Sequence, residues 1–459
     1  MRLRSPWMPY LSDRFTSPSD RLVGALADDI IEGKLETGSR LPAHRELADT
    51  LRIGIGTVTK AYGILERRGL VRTVKGSGTF VALSQSRKGT VIDLSRNAPP
   101  ATMTERLLAR TLTAIAKRVD SGMFNSYPPP GGHGEHRRLL ARWFAKVGMQ
   151  ADPQRLLLTS GAHHAISVAL SVICRQGGTL LTEMHTYPGV IALARHHGIH
   201  LVGVDMDEEG ILPDALEHAL MANRSSATAL YVTPTMQNPT MATMSRERRA
   251  SIVALCRKYD IAIIEDDVYN LGFDPQLLPL AMLAPERTFY ANSMSKTLNP
   301  SLRVGGLVAP AAKLAEAEAM LQATAIMVSP LSCAVMEQWL IDGTADTVSL
   351  AIRDESKRRM TLAKSLLGEL ARIPNYSGYH LWIPMAKPET ERLYQAAAAF
   401  GILLTPPSAT EVCPDTPHSG VRICLGAPSI ADLSSALTTI GRLLRDDRSG
   451  ASELLETIV

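Results

Sequence analysis

The sequence contains few cysteines and no long apolar run, and these absences exclude several classes of protein. Its five cysteines, Cys174, Cys256, Cys333, Cys413 and Cys424, are odd in number and widely spaced. None forms a CxxC pair or lies in a Cys/His cluster of metal-binding spacing, which indicates reduced thiols in a cytoplasmic protein and no metal site. No apolar run of about 18 residues occurs, and the N-terminal arginines precede no signal-peptide core, so neither membrane spanning nor secretion is expected.

Excess positive charge is also absent from most of the chain. Residues 1–82 hold 13 Lys and Arg against 9 Asp and Glu, whereas the remaining residues hold 36 of each sign. The net charge of +4 is therefore confined to the first part of the chain, as a nucleic-acid-binding unit requires, although so few charges can also gather by chance. A length of 459 residues predicts two or three domains.

The basic N-terminal segment combines helical patterns with a hairpin pattern. Apolar residues recur at three- and four-residue steps over 19–31, and shorter helical patterns follow over 43–51 and 57–68. Two β-prone runs, 71–74 and 79–82, enclose a glycine-rich turn and predict a hairpin behind the third helix. Two helices joined by a tight turn and followed by a hairpin are typical of a winged helix-turn-helix.

Four ordered motifs lie within this segment: Gly38-Ser39-Arg40-Leu41-Pro42, Arg45-Glu46-Leu47-Ala48, Gly56-Thr57-Val58 and Gly76-Ser77-Gly78-Thr79-Phe80-Val81. Together they resemble the winged-helix domain of the GntR family of bacterial regulators. The resemblance implies that residues 1–82 bind double-stranded DNA through Arg45, Thr57, Thr59, Lys60, Lys75 and Gly76. Ile55 departs from the family, because many members carry arginine there, and an apolar side chain cannot make the bidentate guanine contact of arginine.

Residues 83–95 begin polar and end as a β-prone run, and we interpret them as a short linker to a second domain, 96–459. Beyond the linker, predicted strands alternate with predicted helices, and the strands span 155–159, 179–183, 200–205, 229–233 and 261–265. This alternation predicts an α/β domain with a largely parallel sheet, in which ligands bind at the carboxyl ends of the strands.

One lysine stands in a segment suited to covalent chemistry with an aldehyde. Ser293 and Ser295 precede Lys296, and Arg303 follows it. A desolvated lysine amine can form a Schiff base, and hydroxyls with a guanidinium can hold a phosphate. Pyridoxal phosphate needs this combination, while an ordinary solvated Ser-Lys loop is the alternative for this segment alone.

Further polar groups follow the other predicted strands. Ala162 and His163 begin a helix whose backbone N–H groups can bind an anion, Tyr187 can stack on a flat ring, and Asn238 can donate to a phenolic oxygen. The strand ending in Glu265-Asp266-Asp267 is more informative, because a buried carboxylate needs a partner such as a protonated pyridine nitrogen. Taken singly, these residues can also be a core helix start, a packed tyrosine and solvated loop carboxylates.

In their order along the chain, these segments resemble the fold type I pyridoxal-phosphate aminotransferases over roughly residues 95–445, with a smaller C-terminal α+β part at about 350–445. The resemblance implies that Lys296 binds the cofactor aldehyde and that Asp266 pairs with its pyridine nitrogen. It assigns Asn238 and Tyr269 to the ring oxygen and Tyr187 to the ring face. The remaining implied contacts are with the phosphate, from Ala162, His163, Ser293, Ser295, Arg303 and, from a neighbouring subunit, Tyr127, and with a substrate carboxylate, from Arg422 and Asn97.

The two resemblances in one chain look like the MocR subfamily of GntR regulators. This implies a dimeric, bacterial, cytoplasmic transcription regulator that senses an amino compound through an aldimine on Lys296. An active aminotransferase with a DNA-binding head is the main alternative, since the sequence leaves turnover open, and an inert interaction scaffold is a third. The sequence does not determine the effector, the operator, or whether the protein activates or represses.

Overall fold

The computed structural model describes residues 17–31, 34–35, 39–67, 70–74, 78–81, 91–118, 125–272, 274–371, 378–414 and 418–456, with Leu11, Gly122 and Thr416. At the N-terminus lie α1 (Pro18–Ile31), α2 (His44–Leu51), α3 (Ile55–Arg67), β1 (Val71–Val74) and β2 (Gly78–Val81). The two strands pair antiparallel, so the predicted three helices and hairpin are confirmed. The apolar positions of the three helices form one small core, as their helical spacing predicts.

The rest of the chain alternates strands with helices. Its helices are α4 (Glu105–Ala116), α5 (Gly134–Ala145), α6 (Ala162–Ile173), α7 (Pro188–His197), α8 (Pro213–Ala222), α9 (Arg246–Lys258), α10 (Leu280–Leu283), α11 (Leu314–Ala325), α12 (Pro330–Ile341), α13 (Thr344–Leu367), α14 (Lys387–Ala399) and α15 (Ile430–Glu456). Its strands are β3 (Ile92–Asp93), β4 (Leu156–Thr159), β5 (Thr179–Glu183), β6 (His200–Val204), β7 (Met206–Asp207), β8 (Gly210–Ile211), β9 (Ala227–Val232), β10 (Ala262–Asp266), β11 (Thr288–Ser293), β12 (Gly305–Val308), β13 (His380–Ala386), β14 (Ile402–Leu403) and β15 (His418–Cys424).

A seven-stranded sheet in the order β4-β12-β11-β10-β9-β5-β6 forms the centre of the second unit. Only β12 runs antiparallel to its neighbours, so the sheet is mixed but largely parallel, as predicted. Strands such as β4 and β5 are buried at every position, because helices cover both faces of the sheet. The carboxyl ends of β4, β5, β9, β10 and β11 therefore meet at one edge.

A smaller part packs beside this edge. Strands β13 and β15 pair antiparallel, and β14 pairs with β3, which brings the end of the predicted linker onto the C-terminal part of the chain. Helices α13, α14 and α15 share one apolar core with these strands. Among the described residues no single helix is long and apolar enough to cross a membrane, although α11 with the 3-10 turn before it, Ala311–Ala325, and α12 together meet the length and composition requirement across a 118° bend.

Candidate functional site

Lys296 lies in the turn directly after β11, at the edge where the parallel strands end. Its Nζ donates to the backbone oxygen of Asn97 and lies 5.3 Å from the ring centroid of Tyr269. The hydroxyl of Tyr379 donates to the backbone oxygen of Lys296 at 3.1 Å and fixes the turn. Burial lowers the pKa of Lys296 to about 8, so far more of its amine is neutral and nucleophilic near neutral pH than in an exposed lysine, although most of it stays protonated at pH 7.

Asp266 is the last residue of β10 and is 3% exposed. The Tyr231 hydroxyl donates to its Oδ2 at 2.8 Å, and the Val268 N–H approaches its Oδ1 at 3.4 Å. Burial raises the pKa of Asp266 to about 6, although these hydrogen bonds and the charge of Lys296 favour the carboxylate. The site therefore contains a buried carboxylate within electrostatic range of the lysine.

The two carboxylates beside Asp266 have structural partners instead. Glu265 accepts the N–H groups of Leu280 and Ala281 at 2.9 and 2.8 Å and so holds the start of α10. Asp267 accepts from the hydroxyl of Tyr290 at 2.8 Å. All three consecutive acids are buried, and the charge of Asp266 is among those that raise the pKa of Lys296.

Arg422, on β15, is 6% exposed and is held by three acceptors. Its Nη1 donates to Asn238 Oδ1 at 2.6 Å, and its Nη2 donates to Ser95 O at 2.9 Å and to Thr405 Oγ1 at 2.8 Å. Its Nε is buried without a partner in the described structure. Because an unpaired buried donor is costly, this orphan N–H favours an anionic ligand at this point.

Asn238 and Asn97 connect the guanidinium and the lysine to neighbouring rings. Asn238 Nδ2 donates to the Tyr269 hydroxyl at 3.1 Å. Asn97 Nδ2 lies 3.1 Å from Nδ1 of His380, a fully buried histidine whose pKa falls to about 3 through burial and the nearby arginine charge. A neutral imidazole accepts this hydrogen bond, which leaves Asn97 Oδ1 buried and without a partner. After Arg422 Nε, Asn97 Oδ1 is the second buried polar atom of the site that has no hydrogen-bond partner in the described structure.

Hydrogen-bond donors of the kind that suit an anion gather in a compact corner where β4 meets α6. Gly161 caps α6 with φ +87°, and a Cβ at this glycine would lie 2.7 Å from Arg303 Nη2. Arg303 Nη2 donates to the Ser160 backbone oxygen at 2.8 Å, and its Nη1 lies 3.5 Å from Ser295 Oγ. Ser293 Oγ accepts from the Ser295 N–H at 3.3 Å. Guanidinium, hydroxyls and free helix N–H groups are the donors that a phosphate requires.

Ala162 and His163 begin α6 in the same corner. His163 Nδ1 lies 3.5 Å from the Tyr187 hydroxyl, and the two rings meet edge to face at 6.2 Å between centroids. Burial, followed by the charge of Arg303, lowers the pKa of His163. The neighbouring His164 is structural, because its ring bridges the Ser160 N–H and the Thr324 hydroxyl.

The structure thus brings all but one of the sequence-predicted ligand-site residues into these connected clusters. Tyr127 is the exception, since it is 78% exposed and the fold of its own chain does not bury it there. Sequence reasoning missed Tyr379 and His380 as site residues. Both residues lie within the predicted smaller C-terminal part, about 350–445, and the sequence Gly378-Tyr379-His380 is the signal that could have marked them.

On the N-terminal unit, Arg45, Thr59 and Lys60 are exposed and Thr57 is half-buried. Thr59 Oγ1 lies 3.2 Å from His44 Nδ1, which ties α3 to α2. Lys75 and Gly76 lie outside the described residues, so their predicted DNA contacts stay predictions.

Comparison with known proteins agrees with this two-part organisation. Residues 89–440 match the family described as aminotransferase class I and II, and residues 18–81 match the gntR family of bacterial regulatory proteins. The uncharacterized HTH-type transcriptional regulator YdeF of Bacillus subtilis is 26% identical over 96% of this chain and 97% of its own length. The HTH-type pyridoxine biosynthesis transcriptional regulator PdxR of Corynebacterium glutamicum is 26% identical over 82% of this chain and 84% of its own.

Solved aminotransferase structures share the fold of the larger unit. An archaeal alanine:glyoxylate aminotransferase superposes with a TM-score of 0.70 at 21% identity, over 85% of this chain and 95% of its own. The kynurenine aminotransferase of Pyrococcus horikoshii also reaches 0.70 at 21% identity, over 78% of this chain and 92% of its own. At this identity the likeness establishes the fold alone.

Proposed function

Because the chain belongs to the aminotransferase class I and II family and carries a GntR-family domain at its N-terminus, we propose that it is a transcriptional regulator of the MocR type. It binds operator DNA as a homodimer in the bacterial cytoplasm and responds to an amino compound through pyridoxal phosphate held at Lys296. The observation that carries this proposal is that one chain combines two features. Its larger unit buries Lys296, whose pKa is lowered, among polar partners, and its N-terminal winged helix exposes basic residues. The regulator names of relatives that span nearly the whole chain support it.

The residues present fit the cofactor. The site offers the buried carboxylate of Asp266, two buried polar atoms without hydrogen-bond partners, Arg422 Nε and Asn97 Oδ1, and the space at Gly161 beside the Arg303 guanidinium. When bound, pyridoxal phosphate supplies an aldehyde that exchanges reversibly between amines. We assign its attachment to Lys296, its pyridine nitrogen to Asp266, its ring to Asn238, Tyr269 and Tyr187, and its phosphate to Ala162, His163, Ser293, Ser295 and Arg303, with Tyr127 from the second subunit.

The chain's own groups prepare this exchange in three ways. Burial keeps part of the Lys296 amine neutral, so that it competes with an incoming amine. Arg422 is preorganised by Asn238, Ser95 and Thr405 and presents Nε to a carboxylate of the effector. Asn97 presents its free Oδ1 beside the same space. An amino acid is therefore the class of effector that these groups favour.

DNA binding is tested by fluorescence anisotropy with duplexes from the region upstream of the protein's own gene, at low salt and with cofactor present. We expect specific binding whose affinity changes when an amino acid is added, because a ligand alters an equilibrium only through differential affinity for its states. The double variant R45A/K60A should weaken binding, while R257A/K258A, on α9 of the larger unit, also removes two positive charges and is the charge-matched control. Absence of binding to every fragment contradicts the proposal.

An active aminotransferase is the second candidate, favoured by the completeness of the hydrogen-bonded lysine, carboxylate and arginine cluster. It is tested by incubating the cofactor-loaded protein with amino acids and an oxo acid and counting product molecules per site. At most a single conversion per site is expected of a sensor. Sustained turnover at a metabolic rate instead favours the enzyme, and the K296A variant controls for reaction with free cofactor.

A further inference from the structure

The first turn of α3 exposes an apolar side chain on its outer face. Ile55 opens the helix and is 48% exposed, whereas Val58, Ala61 and Leu65 on the inner face are fully buried. Thr59 and Lys60 share the outer face with Ile55. The apolar group therefore projects from a surface that is otherwise polar and basic.

Gly56, which follows Ile55 in α3, has no reason within the fold to be a glycine. A Cβ at Gly56 would meet nothing within 4 Å, its φ is not positive, and glycine weakens a helix relative to alanine. Gly54 differs, because it precedes α3 and its backbone oxygen accepts from the N–H groups of Thr57 and Val58, at the N-cap position where glycine is favoured over alanine. A missing side chain that the protein itself does not need indicates close approach by an external partner at Gly56.

Docking geometry identifies the part of the partner that meets this turn. In helix-turn-helix proteins the first residues of the recognition helix face the base edges of the major groove. The apolar feature on those edges is the C5-methyl group of thymine, and the other groups there are hydrogen-bond donors and acceptors. An isoleucine has no hydrogen bond to offer a base, so its match in the groove is that methyl group.

We propose that Ile55 reads the C5-methyl group of a thymine in each operator half-site, while Gly56 lets the base edges approach the helix backbone. This assignment rests on the proposed DNA-binding function and deepens it by naming a base contact. Arg45 and Lys60 supply contacts to phosphate, which add affinity but no sequence information.

The operator is first located by footprinting the full-length protein on DNA from upstream of its gene. In a duplex of that sequence, single thymines are then replaced by deoxyuridine. This change removes one methyl group and keeps base pairing. At one thymine per half-site we expect binding to weaken about fourfold, the factor for burying one methyl group. I55A should weaken binding to the thymine duplex and lose its sensitivity to deoxyuridine, while I55V should retain most of that sensitivity. M221A, which truncates another exposed apolar side chain, should bind as the native protein does.

Gly56→Ala provides a second, independent readout. Because the added Cβ meets no atom of the chain, the melting temperature should stay the same or rise while DNA affinity falls. Binding that no deoxyuridine weakens, or an I55A variant that remains as sensitive to deoxyuridine as the native protein, overturns the assignment but leaves DNA binding intact. Failure to bind any fragment overturns both the assignment and the proposed function.

Discussion

Arg422 donates through Nη1 to Asn238 Oδ1 at 2.6 Å, although the two residues lie 184 positions apart in the sequence. The same Asn238 donates through Nδ2 to the Tyr269 hydroxyl. The side chain proposed to hold the cofactor ring therefore also orients the guanidinium proposed to hold the effector. Through this amide, cofactor and effector binding are expected to depend on each other.

Replacing Asn238 by Ala is expected to weaken amino acid binding by about tenfold to a hundredfold, the range for losing a hydrogen bond to a charged group. Spectral titration of the cofactor-loaded protein measures this affinity. In a double-mutant cycle with R422K the two losses should not add, because both variants break one contact. Asn223→Ala, at the end of α8, serves as the amide control. Additive losses would contradict the coupling.

Lys296→Met is expected to stabilise the cofactor-free protein by about 1–2 kcal/mol at pH 7, since one pKa unit corresponds to about 1.4 kcal/mol and the lost hydrogen bond to Asn97 offsets part of the gain. Burial lowers the folded-state pKa of this lysine to about 8, so the charged amine destabilises the fold below that pH. The difference should shrink as pH rises from 8 towards the unfolded-state pKa near 10.5.

Denaturant unfolding of both proteins across this pH range measures the effect. Lys258→Met, which removes an exposed lysine, should show no comparable stabilisation at pH 7. A Lys296→Met variant less stable than the native protein at pH 7 would contradict the desolvation of the amine. The variant should also lack the visible absorbance of lysine-bound pyridoxal phosphate.

Asp266→Asn is expected to weaken cofactor binding by about tenfold to a hundredfold, because the charged partner of the pyridine nitrogen is lost. Burial raises the pKa of Asp266 to about 6 in the cofactor-free protein, so protons should compete with the cofactor as pH falls through 6. Absorbance titrations from pH 5 to 8 should show this dependence in the native protein and its reduction in the variant. An identical pH profile in both proteins would exclude the assigned role of Asp266.

Gly161→Ala is expected to lower cofactor affinity, since its Cβ would lie 2.7 Å from Arg303 Nη2 and displace the guanidinium from the phosphate corner. Gly177→Ala is the matched control, because Gly177 also has a positive φ, +79°, but a Cβ there meets nothing within 4 Å. Both variants should lose about 1 kcal/mol of stability or more from backbone strain, and Gly161→Ala should lose more than Gly177→Ala because of its clash with Arg303. Equal cofactor affinities of the two variants would refute the role of the corner.

Much of the architecture is encoded locally. Short apolar runs predicted β5 with its observed bounds, and β4 and β10 to within one residue, because such runs depend only on neighbouring positions. The order of strands and helices also predicted the largely parallel sheet, and hence that Asn238 and Asp266, which follow two of its strands, would lie at its carboxyl edge. The place of Lys296 beside them was implied by the resemblance, since the strand before it, β11, was not predicted. The proposed roles of these residues rest on that placement.

Only the tertiary structure decided which groups meet across the sheet edge. The strand pattern alone left Glu265, Asp266 and Asp267 as equal candidates, and only the resemblance singled out Asp266. In the structure Glu265 accepts from the start of α10 and Asp267 accepts from Tyr290. The amine of Lys296 donates to the backbone oxygen of Asn97, which lies 199 positions earlier in the sequence. This contact forms where the smaller C-terminal part packs against the edge of the sheet. Contacts of this kind depend on strand order, burial and side-chain direction in the folded chain, and no local pattern in the sequence carries that information.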